Sequence, residues 1–127
     1  MASELRVNTL KDASGNNSVA TSTVAQGSAK HFCVFNGTGT VAVDESFNNA
    51  SLTDNGTGQY AVTFTNNFTN LHLALTGATV GNDEAFTYIA TDAAAKTAST
   101  VRFRGVQHDG SEFDTDVVDI VSHGDLA

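Results

Sequence analysis

Few residues in this 127-residue sequence have side chains that do chemistry. Cys33 is the only cysteine, so no disulfide forms within the chain, and it sits inside the apolar run Phe32 to Phe35. A thiol in that setting reads as a small buried hydrophobe, not a nucleophile. His31 is adjacent and is read as pointing to the opposite face of the same strand. The four histidines, His31, His72, His108 and His123, form no pair at i, i+2 or i, i+4, the spacings that bring two imidazoles onto one ion. A metal would need a symmetry axis with one histidine from each of three chains. His72, in a stretch that alternates leucine with other residues, is the candidate for that arrangement. Asp109, Glu112, Asp114, Asp116 and Asp119 offer oxygen ligands for calcium but lack the ordered spacing and central glycine of an EF-hand loop. They read as a solvated edge whose charge discourages strand pairing. Asp44/Glu45 and Asp83/Glu84 are the carboxylate pairs a glycan hydrolase would need, yet neighbours on a strand face opposite ways. Gly37, Gly39, Gly56 and Gly58 are followed by neither a lysine nor a helix, so they mark turns and not a phosphate loop. Asn-x-Ser/Thr occurs at Asn16, Asn36, Asn49, Asn55 and Asn67 and reads as turn chemistry. No catalytic, cofactor-binding or metal-ligating residue is assigned, and no enzyme is expected.

Composition explains which elements position these groups. Charged residues are 16% of the chain, below the usual quarter, and the polarity is carried instead by 17 Thr, 11 Asn, 11 Gly and 10 Ser, with no Pro and no Trp. Such a chain suits many short strands joined by Gly/Asn turns. The net charge of −8 leaves no basic patch for nucleic acid and repels an anionic membrane. No apolar run reaches the length of a membrane span, and Met1 to Leu10 has no secretion-signal pattern, so synthesis in a cytoplasm is expected. Without Trp, a sugar-stacking platform has weak material. Tyr60, Tyr88, Phe47 and Phe68 are the candidate exposed anchors, with core packing the default for each.

The expected fold class is all-β, an antiparallel β-sandwich or barrel-like domain at 30–127 preceded by an extended N-terminal arm at 1–29. The arm holds only the scattered apolar residues Leu5, Val7, Leu10, Val19 and Val24 around a turn cluster at Asp12 to Ser18, too few for a core. Those five residues are its candidate assembly contacts. From Lys30 the period becomes two. Strands are read at 30–35, from Val41 toward Phe47, at Tyr60 to Phe64, at Leu71 to Leu75, around Phe86 to Ala90, at Val101 to Gly105 and at 116–122. Turns are read at Asn36–Gly39, Asp54–Gly58, Thr76–Gly77, Gly81–Asp83 and His108–Ser111. Asp92–Lys96 is read as a short helical turn.

Three stretches then carry a resemblance. They are Ser3-Glu4-Leu5-Arg6-Val7-Asn8-Thr9-Leu10 with Asp12 to Ser18; Phe35-Asn36-Gly37-Thr38-Gly39-Thr40-Val41-Ala42-Val43 running on through Ser46-Phe47-Asn48, Ser51 to Tyr60 and Val62-Thr63-Phe64; and Thr97 to Arg104 with Asp116-Val117-Val118 and Gly124-Asp125. Together they resemble small structural and tail-fibre-like proteins of tailed bacteriophages, cyanophages in particular, over nearly the whole chain. The chain departs from that pattern where Lys30 is followed by His31 and Phe32 instead of a nearby Trp, and where Asp44-Glu45-Ser46 lacks a basic residue. The resemblance implies a non-enzymatic virion protein, a homotrimer displayed on the particle in a tail-fibre or host-contact role, with other virion proteins and a host surface glycan as partners. A capsid decoration (cement) protein bound to the major capsid protein is the alternative, and a carbohydrate-binding module a more distant one.

Overall fold

The computed structural model describes residues 3–80 and 88–127, and for residues 88–95 the backbone alone. Ten strands and one helix follow in the order β1 (Thr9–Lys11), β2 (Ser18–Ala20), α1 (Thr21–Gly27), β3 (His31–Asn36), β4 (Ala42–Phe47), β5 (Asn49–Gly56), β6 (Gln59–Phe64), β7 (Ala74–Val80), β8 (Tyr88–Lys96), β9 (Thr100–Val106) and β10 (Val117–His123). The last eight strands make two four-stranded sheets, ordered β4-β3-β10-β7 and β5-β6-β9-β8, with every pairing antiparallel. They pack face to face, as period-two strands with one apolar side must. Cys33, Phe35, Val118 and Ile120 from the first sheet meet Tyr60, Val62, Phe64, Val101 and Phe103 from the second in one buried cluster. The all-β sandwich expectation therefore holds.

Aromatic rings fill the middle. Phe35 meets Tyr60 edge-on at 5.0 Å between centroids, and Phe64 meets Phe68 the same way at 4.8 Å. Tyr60 and Phe68 are thus core residues and not surface anchors. The chain crosses from the first sheet to the second through a single residue, Asn48, at φ 56°. Asparagine is among the few side chains that tolerate this left-handed backbone. Its Nδ2 donates to the Lys30 carbonyl at 2.9 Å and the Asn66 carbonyl at 3.0 Å, while its Oδ1 accepts the Asn66 N–H at 2.7 Å.

Several expectations need correction. Residues Asp92–Lys96 lie in β8, which pairs with β9 through Tyr88–Thr91 and again at Lys96 across a register shift; three alanines are too short a run to nucleate a helix against that pairing. The strand expected at Leu71–Leu75 begins instead at Ala74 and runs through Thr76–Gly77, where Gly77 sits opposite Ile120. His72 therefore lies before the strand, exposed, and its N–H donates to Asn70 Oδ1 at 2.8 Å. β5 was not legible in the sequence, because its residues are mostly exposed and polar on an edge. His31 is on the same face as Cys33 and Phe35, all three buried, since residues two apart on a strand share a side. The turn at Gly81–Asp83, the Asp83/Glu84 pair, the Phe86 strand start and the Tyr88 side chain lie outside the described residues.

Candidate functional site

The N-terminal segment is not extended throughout. β1 and β2 form a hairpin in which Leu10 sits opposite Val19, followed directly by α1. Its turn is built by Asp12: the side chain accepts the Asn16 N–H at 3.0 Å and the Asn17 Nδ2 at 2.7 Å, and Gly15 supplies φ 73°. The Asn17 amide holds the Asp12 carboxyl below its usual pKa. Thr21 closes the hairpin onto the preceding chain, donating from Oγ1 toward the Val7 and Asn8 carbonyls.

None of this buries an apolar side chain fully. Every residue from Ser3 to Ala29 is exposed except the half-buried Thr21, and the core draws nothing from this segment. Leu5, at 80% exposure, and Val7, Leu10, Val19 and Val24, at 37–45%, are all among the most exposed large apolar residues of the molecule. A two-stranded hairpin and a seven-residue helix without a side-chain N-cap are each marginal in water. Here hydrogen bonds shape the unit and its apolar side chains remain free to contact something else. Leu10, Val19 and the turn residues line an open, mainly apolar hollow. The five residues picked from sequence are thus carried on one small unit, with Leu10 and Val19 facing each other and Val24 on the helix.

Most of the acidic segment Asp109–Asp119 is engaged in local bonds. Glu112 meets Arg104 at 3.2 Å and accepts from Gln59 Nε2 at 2.6 Å. Asp114 accepts the Gly58 N–H at 2.6 Å and lies 2.8 Å from the Tyr60 hydroxyl. Asp119 accepts the Ala78 N–H at 2.8 Å, and Asp109 accepts the Ser111 N–H at 2.9 Å. The acidic segment is therefore spread over separate structural bonds, and no group of three His, Cys, Asp or Glu side chains converges among the described residues. The hollow beside Gln59, Arg102, Arg104 and Glu112 measures about 100 Å³, well under the ~300 Å³ at which small-molecule pockets begin. No helix among the described residues is long and apolar enough to cross a membrane.

Burial controls the two reactive groups of β3. Cys33 is fully buried and its thiol is pushed up to about 11 by desolvation and then by Asp44, which suppresses the thiolate. His31 is also fully buried, and desolvation lowers its imidazole to about 4. Its Nδ1 lies 3.2 Å from Ser122 Oγ, and its ring meets Phe64 edge-on at 4.8 Å. Nε2 and the buried Asn49 Oδ1 make no hydrogen bond of good geometry, although the amide side chain raises the ring's proton affinity slightly.

A second surface surrounds Phe47, the one of the candidate anchors that the structure leaves exposed among the described side chains. The outer side of the β4-β3-β10-β7 sheet carries Phe47, Phe32 and Val121 in one cross-strand row and Glu45, Val34 and Asp119 in the next. Phe47 is 52% exposed and its ring stacks on Phe32 at 6.2 Å. The signal was present: His31–Phe35 and Val117–Val121 are apolar at odd and even positions alike, a pattern of strands covered on both sides. No protein-family model, curated protein or solved structure matches the chain.

Proposed function

We propose that this chain is a non-enzymatic structural module of a tailed-phage particle, which acts by binding through residues 3–29. The observation that carries the reading is that unit itself: five exposed apolar side chains, Leu10 and Val19 on a hydrogen-bonded hairpin, Val24 on the helix and Leu5 and Val7 on the chain leading into them, tethered to a sandwich whose core is complete without it. Surface of that kind gains stability only when a partner covers it. The sandwich then stands clear of the attachment point, as a host-contact module of tail-fibre type requires, and many copies on one particle raise weak contacts to useful avidity. A capsid decoration role is the second reading. It is favoured by the compactness of the hairpin and helix, which suits clasping a neighbouring subunit at short range.

The test is antibody labelling of particles viewed by electron microscopy, with wild-type chain and a chain lacking residues 2–29. Label at tails or fibres supports host contact, and label over the head supports decoration. Label lost on removal of residues 2–29, with the circular dichroism of the sandwich unchanged, supports docking through this unit. Unlabelled particles, or undiminished labelling by the truncated chain, overturn it.

A further inference from the structure

Among the described residues two apolar surfaces stay at least partly open to solvent. One is the N-terminal unit. The other is the outer face of β4-β3-β10 around Phe32, Phe47 and Val121. Sheets with one face in water normally present polar side chains there. This face presents the exposed Phe47 stacked on the half-buried Phe32, with half-buried Val34 and Val121 beside them and the carboxylates Glu45 and Asp119 among them.

We propose that this face is the seat for residues 3–29 of a second copy of the chain. The inference rests on reading that unit as a docking element and names what it docks on. Three observations select the occupant. The first is charge. Residues 3–29 carry Arg6 and Lys11 beside Leu5, Val7 and Leu10, against Glu4 and Asp12, so the unit is neutral and the whole −8 lies on the sandwich. The unit, with Arg6 paired to Glu4 at 2.9 Å, thus meets this acidic face without the net repulsion of one whole sandwich against another, and its Lys11 can lie beside Glu45 or Asp119.

The second is continuity. The unit joins the sandwich at Lys30, whose N–H donates to the Ser122 carbonyl at 2.9 Å and whose carbonyl accepts from Asn48 at 2.9 Å. That point lies next to Phe47 on one side and His123 on the other, at the rim of the face. A unit leaving one copy at the rim is thus placed to enter the face of the next.

The third is tether length. Lys30 Nζ donates to Ser28 Oγ at 2.6 Å and to the Ala25 carbonyl, tying the C-terminal end of α1 to the start of β3. Little slack remains for the hairpin to turn back onto its own sheet, and among the described residues the apolar side chains of residues 3–29 stay exposed and Phe47 stays 52% exposed. The contact is head-to-tail, with different patches on the two copies, so it closes into a ring or propagates. The trimer implied by the resemblance is one such ring.

Directed cross-linking of the full chain tests this. Buried Cys33 does not compete. Chains carrying Leu10→Cys and Phe47→Cys are purified separately, mixed and oxidised, with Thr53→Cys, on the outer side of the other sheet, replacing Phe47→Cys as control. The expected result is a disulfide between different copies for the first mixture and at least tenfold less for the control. Equal cross-linking in both overturns the proposal, as does a purely intramolecular disulfide in a Leu10→Cys/Phe47→Cys double variant. Light scattering adds an independent reading. Wild type should exceed the 13.2 kDa chain mass, and Phe47→Asp should fall to it with an unchanged far-ultraviolet spectrum. A monomeric wild type, or unaltered association of Phe47→Asp, removes this seat. The docking reading itself is decided separately, by whether chains lacking residues 2–29 still enter particles.

Discussion

Acidification should weaken this fold through one buried side chain. His31 is fully buried between the sheets, and its imidazole falls from the ordinary 6.5 to about 4, chiefly because burial penalises the charged ring. Between those two values the unfolded chain binds the proton and the folded chain does not. Stability is therefore complete above pH 6.5 and declines as the pH drops toward 4. A gap of that size is worth about 3 kcal/mol once both states are protonated, and about 2.5 kcal/mol at roughly pH 4.5. For a domain of this length the latter lowers Tm by about 10 °C. Carboxylates held low by hydrogen bonds, such as Asp109 by Ser111 and Glu112 by Gln59, weaken the fold in the same direction at the acid end. The informative quantity is thus the difference between wild type and His31→Phe/Ser122→Ala. That variant removes the titrating ring together with the hydroxyl 3.2 Å from it. Thermal melts followed by circular dichroism from about pH 7 to 4.5 should show the extra loss in wild type alone. Equal slopes in the two proteins would refute the reasoning, and so would an NMR titration of folded His31 centred near its ordinary value.

Three further outcomes follow from the geometry. Asn48→Ala removes the bonds to Lys30 and Asn66 and strains a residue at φ 56°, and should cost about 2–4 kcal/mol in urea melts, while Asn48→Gly relieves the strain and recovers about 1 kcal/mol of it. Gly37→Ala should destabilise measurably in the same assay, because its methyl would meet the Tyr60 hydroxyl at 2.5 Å and the Thr115 carbonyl at 2.9 Å. Cys33 should resist a thiol reagent in native protein near neutral pH and react fully once unfolded, since its thiol is buried and pushed up to about 11; rapid native labelling would show that the edge strand β4 peels away from β3.

Strands with one clean apolar side were readable in advance. Tyr60, Val62 and Phe64 alternate with Ala61 and Thr63, and Val101 and Phe103 alternate with the two arginines, so period two alone placed β6 and β9. Edges were harder. Nearly all of β4 and β5 is exposed, so burial leaves little pattern there, and what fixes β5 is pairing with β6 across the turn at Thr57–Gly58. β8 was read as a strand only as far as Ala90; its continuation through the alanines to Lys96 follows no period and rests on pairing with β9. The five apolar residues of the N-terminal segment were visible as a group, but the hairpin and helix carrying them were not. That structure rests on side-chain bonds such as those of Asp12 and Thr21, which hydrophobic patterning does not register. The outer sheet face was legible only at Phe47: a run apolar at odd and even positions does not show which of its members face outward, so Phe32 and Val121 beside it were not singled out.

The uneven charge makes the response to salt diagnostic of what drives association. Each sandwich carries the full −8 and the N-terminal unit none, so two copies brought together repel through their bodies and attract through apolar contact. An exposed pair such as Lys11 with Glu45 or Asp119 adds no more than about 1 kcal/mol. Raising salt from about 0.05 to 0.5 M shortens the screening length severalfold, from over ~10 Å to under ~5 Å. That screening weakens body repulsion and the single ion pair alike, and leaves burial of Phe47, Leu10 and their neighbours intact. Repulsion sums over eight net charges per copy and the pair over one contact, so association should hold or tighten across this range in sedimentation equilibrium. A dissociation constant that instead rises tenfold would mean that ion pairs hold the copies together, and the apolar face would lose its place as the main contact.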